Sequence, residues 1–89
     1  MANRRTLKKA IRIMGEDLLV ELMAAQQMNS KIPQADIENV AQSILRMQTD
    51  FISRLSHVDK RQVKRFFAQL NDDLNVCTNE IIDHICHLL

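Results

Sequence analysis

From Leu7 onward, apolar residues recur at Ile11, Met14, Leu18, Leu22 and Ala25, in steps of three and four that place them on one face of an α-helix. The pattern predicts a first helix over residues 4–28. Asn3 before it, and Asn29 with Ser30 after it, carry short polar side chains that compete for backbone hydrogen bonds, and so mark its start and stop. Gly15 costs such a helix up to about 1 kcal/mol relative to alanine, which one close helix contact would offset. Pro33 has no N–H and biases Ile32 toward extended backbone, so residues 31–33 form a connection and a second helix begins at Pro33. Its apolar face is Ile37, Val40, Ala41, Ile44, Met47, Phe51 and Leu55, with Asp36 and Glu38 in the first turn, where the macrodipole favours anions. This second element is predicted over 33–56.

Ser56 with Asp59 three residues on is a variant of the capping box, and it opens a third pattern over 57–89. Val63, Phe67, Leu70, Leu74, Cys77, Ile81, Ile85 and Leu88 form its apolar face. Such a helix is about 45 Å long against about 38 Å for the first, so it either overhangs or breaks. Asn71, Asp72, Asp73, Asn75, Thr78 and Asn79 are poor helix formers, and a break there would give a short fourth helix. The apolar spacing passes through them without a phase slip, which favours one continuous helix. Short connections make successive helices antiparallel neighbours. The expected fold is therefore all-α, an up-down-up three-helix bundle forming a single domain over 1–89.

Composition narrows the picture further. The chain has 89 residues, of which 46% are hydrophobic, with three Phe and no Tyr or Trp. A core of this size stabilises a fold by only a few kcal/mol. One Gly and one Pro in the whole chain leave little for tight β-turns or glycine-rich ligand loops. No apolar run approaches the roughly 18 residues of a membrane span, and the basic start meets Glu16 and Asp17 too early for a signal-peptide core, which suggests a cytoplasmic protein. Cys77 and Cys86 lie about 13 Å apart along one helix, beyond disulfide reach, so reduced thiols are expected. Ile13, Val20, Met23, Leu45, Ile52, Phe66, Ile82 and Leu89 fall beside the main stripes. Helices apolar over so wide an arc usually meet another helix, which points to self-association, a dimer first of all. The plainer alternative is that a three-sided core uses a wider stripe.

Charge is distributed unevenly. The formal net charge is only +1, yet Arg4, Arg5, Lys8, Lys9 and Arg12 fall in the first twelve residues, and Lys60, Arg61, Lys64 and Arg65 form a second block. Residues 66–89 contain no Lys or Arg but include Asp72, Asp73, Glu80 and Asp83. In an up-down-up bundle the starts of the first and third helices share one end, so the two basic blocks converge on one pole. Cations at a helix start oppose its macrodipole by roughly 0.3–1 kcal/mol each, so another interaction must favour them. A phosphate-rich partner is one reading, although helix-turn-helix glycine, zinc-finger spacing and aromatic platforms are all missing. Contact between the basic pole of one molecule and the acidic part of another is a second, and a solvated charged end with no partner is the plainest.

Candidate chemistry is sparse. Glu80, His84 and His87 share one flank of a C-terminal helix at spacings suited to metal ligands, but a structural zinc site needs four, and Cys86 points elsewhere; no metal or cofactor is expected. Cys77 sits in the apolar stripe among acidic residues, the setting of an inert thiol. Ser56, His57 and Asp59 resemble a hydrolytic trio only in residue type and serve better as a helix start. Met23 and Met28 offer adaptable apolar surface, a role that gap-filling in the core rivals. No pocket-building loops are foreseen, so an enzyme is not expected.

The segment NRRTLKK at residues 3–9, followed by an amphipathic run, resembles the opening of a group of small, uncharacterised all-helical bacterial proteins with an N-R-R-x-L-K-K start. The resemblance implies a helical bacterial protein and adds no catalytic or ligand residues, since that group has no assigned activity. The expected role is a noncatalytic helical interaction protein that self-associates or binds a protein partner. The alternative is a small nucleic-acid-binding accessory protein using the two basic blocks.

Overall fold

The computed structural model describes residues 4–57 and 60–89, with the side chains of 5–57 and 61–89. Three α-helices carry the described residues: α1 (Arg4–Met28), α2 (Gln34–Leu55) and α3 (Val63–Leu88), the last preceded by a 3-10 turn at Lys60–Gln62. Among the described residues there is no strand. The all-α expectation holds, and each helix has a local reason for its bounds.

At the end of α1, the Asn29 N–H still bonds the Ala25 carbonyl at 3.0 Å. The Asn29 side-chain oxygen then accepts the Lys31 N–H at 3.1 Å, an Asx turn that diverts the chain. Pro33 follows as the N-cap of α2, with φ −57° and ψ 138°, and its carbonyl receives the N–H groups of Asp36 at 3.0 Å and Ile37 at 3.3 Å. Ile32 lies in the connection, as its sequence context places it, and is buried in the same apolar cluster as Ile37. These are the two positions that flank a helix start in a hydrophobic staple, so apolar packing sets the entry angle where Pro33 has no capping side chain.

The third element starts later than its pattern suggested. Ser56, read as its opening cap, closes α2 instead: it has helical dihedrals, and its N–H bonds the Ser53 carbonyl at 3.0 Å. Asp59, the other half of the proposed capping box, and Asn3, the proposed cap of the first helix, lie outside the described residues. Regular helix resumes only at Val63, with Gln62 at the N-cap and no side-chain cap bond. From there α3 is continuous to Leu88, so the short fourth helix does not form. Two of the six poor helix formers are tied to other helices: Asp73 accepts a bond from Arg54 at 3.1 Å, and the Thr78 hydroxyl donates to the Met14 sulfur at 3.0 Å.

Those contacts also fix direction and register. Gln26 meets Gln34 at 3.1 Å and Gln48 meets the Arg12 carbonyl at 3.1 Å, so α1 and α2 run antiparallel. Arg54 meets Asp73, while Cys77 shares a surface cleft with Ser43, Met47 and Phe51, so α2 and α3 are antiparallel as well. Val63 precedes Asp73 by about 15 Å of helix, whereas Leu55 ends α2 one residue past Arg54. The first turns of α3 therefore overhang the end of α2, and the described residues span 50 × 20 × 18 Å. That stagger explains why Val63 is 38% exposed although it lies in the phase of the apolar stripe.

One apolar cluster joins the helices. It buries Ile11, Leu18, Leu22 and Ala25 of α1; Ile37, Val40, Ile44, Met47, Phe51 and Leu55 of α2; and Leu70, Leu74, Ile81 and Ile85 of α3. Among the described residues no polar or charged side chain is buried with them. Cohesion therefore rests on apolar burial, at about 25 cal/mol per Å² removed from water.

Candidate interaction surfaces

The antiparallel packing supplies a local reason for much of the basic start. Arg5 and Lys8 line a shallow cleft with Ile52, Leu55 and Ser56, so they stand beside the C-terminal turn of α2. The macrodipole of α2 is negative there, and it favours cations that the start of α1 itself disfavours. Lys9 and Arg12 are exposed on α1. The side chains of Arg4 and Lys60 lie outside the described residues.

In the second block, Arg61, Lys64 and Arg65 are exposed. Arg65 lines a separate cleft with Phe66 and Gln69 of α3 and with Gln62 of the turn before it. With Met14 level with Thr78, Lys64 lies about 21 Å along α3 from that level and Arg5 about 13 Å along α1. The blocks thus share one end of the molecule but differ in height by more than a helical turn.

A charged cluster missed by the sequence reading crosses from α2 to α3. The Arg54 guanidinium donates to Asp73 at 3.1 Å and to Asp50 at 3.3 Å, and its carbon lies 4.6 Å from the centroid of the Phe51 ring. Gln69 adds a bond to Asp73 at 2.9 Å. The Asp50/Arg54 spacing of four was visible in sequence, but no local signal named Asp73 as the third member.

The proposed chemical groups are engaged structurally. His57 donates from Nδ1 to the Ser53 carbonyl at 3.0 Å, closing α2. His87 donates from Nδ1 to the Asp83 carbonyl at 2.7 Å within its own helix. Among the described residues no three His, Cys, Asp or Glu are placed to hold a metal ion; Glu80, His84 and His87 share a flank without converging. Cys77 and Cys86 are both free thiols. Partial burial pushes the Cys77 thiol upward, the nearby Glu80 and Asp50 carboxylates push it further, and Arg54 opposes them.

Apolar surface divides into two groups. Ile52, Phe66 and Ile82, read as free flanking residues, are half-buried against the core, and Phe66 meets Phe67 edge-to-face at 5.6 Å. Ile13, Val20, Met23, Leu45 and Leu89 stay 46%, 64%, 61%, 51% and 56% exposed, joined by Met28 and by Val76, which the stripe analysis passed over. Among the described residues no helix is long and apolar enough to cross a membrane. No family model, curated protein or solved structure matches the chain.

Proposed function

We propose that this is a noncatalytic, cytoplasmic interaction protein whose helices act as an up-down-up bundle that self-associates or holds a protein partner. The observation that carries the reading is the set of large apolar side chains left outside a core already closed without them. Single exposed hydrophobes are ordinary. Here Val20 and Met23 of α1 and Leu45 of α2 occupy neighbouring helices, and the Gln48–Arg12 and Gln26–Gln34 contacts set Leu45 about 8 Å from Val20 and about 12 Å from Met23 along the helix axes. Sedimentation of the full chain from nanomolar to millimolar concentration tests it. A rise in sedimentation coefficient and thermal midpoint with concentration, suppressed by Val20→Glu with Leu45→Glu, is expected; a monomer throughout that range sinks the reading.

A second reading, binding to nucleic acid, has in its favour the exposure of Arg5, Lys8, Lys9, Arg12, Arg61, Lys64 and Arg65 toward one end. The α2 terminus beside Arg5 and Lys8 weakens the need for it. Duplex binding that falls steeply as salt rises, and that reversal of these charges weakens on any sequence alike, would support it.

A further inference from the structure

The face of α1 turned away from the core has an internal symmetry of charge. Thr6, Ile13 and Val20 stand seven residues apart, opposite the buried Ile11, Leu18 and Leu22, with the exposed small residues Ala10 and Ala24 alongside. Lys9 and Arg12 precede Ile13 and Glu16, Asp17 and Glu21 follow it, while Arg5 and Lys8 are turned to the cleft beside α2. The sign of the charge reverses at Ile13.

Within one molecule this order is mostly unfavourable, Arg12/Glu16 being the one opposite-charge pair at the i,i+4 spacing among these residues. Arg5/Lys9, Lys8/Arg12 and Asp17/Glu21 are like-charge pairs at the i,i+4 spacing, where each repels by a few tenths of a kcal/mol or less on an isolated helix. Among the described residues the ion pairs seen are those of Arg54, and none involves α1. The acidic half of the helix therefore has no cationic partner among the described residues.

We propose that this face binds the same face of a second copy, with the two α1 helices antiparallel about a two-fold axis beside Ile13. The proposal rests on the self-association reading and specifies its surface. In that arrangement Lys9 of each copy comes level with Glu16 and Asp17 of the other, and Ile13 meets Ile13. An isologous contact of this kind uses one patch twice, so a face whose sign reverses at its midpoint is complementary to itself. A parallel pairing would set like charge against like. Thr6 offers little bulk against the exposed Val20, and Ala10 little against Glu16, which lets the helices approach closely. The seam is only one helix wide, smaller than the roughly 1,200–2,000 Å² of a standard interface, so the dimer is weak and salt-sensitive.

Charge exchange on the full chain tests this, read by sedimentation at low salt. Lys9→Glu places a carboxylate opposite Glu16 and Asp17 of the other copy, and Glu16→Lys places an ammonium opposite Lys9; each alone is expected to weaken self-association about tenfold or more. Mixing the two variants in equal amounts restores most of the dimerisation, because positions 9 and 16 then carry opposite charges in both halves of the seam and only Asp17 keeps a like-charge neighbour in one half. Both are surface changes, and unchanged circular dichroism in the dilute monomer confirms folding. If the wild type dimerises but the variants do so equally well, or if mixing restores nothing, the α1 seam is wrong while self-association stands. If the wild type stays monomeric to millimolar concentration, both fall together.

Discussion

Gln48 lies over Gly15: its side chain crosses from α2 to α1 and donates from Nε2 to the Arg12 carbonyl at 3.1 Å. A Cβ at position 15 would come within 2.7 Å of the Gln48 Cγ and closer still to its amide. The helix tolerates glycine here because its missing side chain admits a contact from the neighbouring helix.

This arrangement predicts a coupled pair. Gly15→Ala gains up to about 1 kcal/mol of helix propensity but expels Gln48, losing a bond of about 1 kcal/mol, so its net effect is small. Gln48→Ala alone costs about 1 kcal/mol. In the Gly15→Ala background the same change costs nothing or stabilises, and a double-mutant cycle by urea unfolding reads the difference.

The stagger of α3 makes two phenylalanines unequal. Phe51 is 3% exposed within the cluster, whereas Phe67 is half-buried near the overhang. Phe51→Ala is expected to cost about 3–5 kcal/mol, which approaches the whole stability of a domain this size. Phe67→Ala should cost clearly less. Equal losses in denaturant titration would contradict the register described above.

Arg54 ties α2 to α3, yet its side chain and that of Asp73 are 42% and 40% exposed. Asp73→Asn is therefore expected to cost about 0.2–1 kcal/mol at low salt, and less in 1 M salt, as thermal melts at two ionic strengths would show. Arg54→Lys loses part of this too, since a lysine ammonium cannot stack on Phe51 and bond both carboxylates with a planar fork.

The two thiols differ in reactivity. Cys86 is exposed and Cys77 half-buried with its titration pushed above the ordinary 9.0 by burial and then by Glu80 and Asp50. Iodoacetamide near pH 8 is expected to modify Cys86 first, with Cys77 reacting at a comparable rate only after denaturation, as peptide mapping by mass spectrometry would resolve. The linkage has a definite sign. The folded state holds the Cys77 proton more tightly, so its contribution to stability is complete below the ordinary thiol value and is lost as pH rises from there through the folded value.

Among apolar positions, the three stripes were nearly all legible. Every stripe residue from Ile37 to Leu55 is buried or half-buried, and the same holds for Leu7 to Ala25 and Phe67 to Leu88. Val63 departs because it stands in phase with the core but beyond the end of its neighbours, and Ile32 because burial in a connection has no periodic signature. Of the candidate surfaces, the residues were visible and their partners were not: nothing beside Arg5 in the chain announces Ser56, and nothing beside Arg54 announces Asp73.

Periodicity, stop residues and the sign of charge along each helix are local properties, written within a few turns, and the sequence by itself determined them. Axial register is not local. It depends on how side chains from distant segments interlock, so only the tertiary structure decided that α3 begins at Val63 and overhangs, that Gln48 rests on Gly15, and that the basic start of α1 meets the negative end of α2.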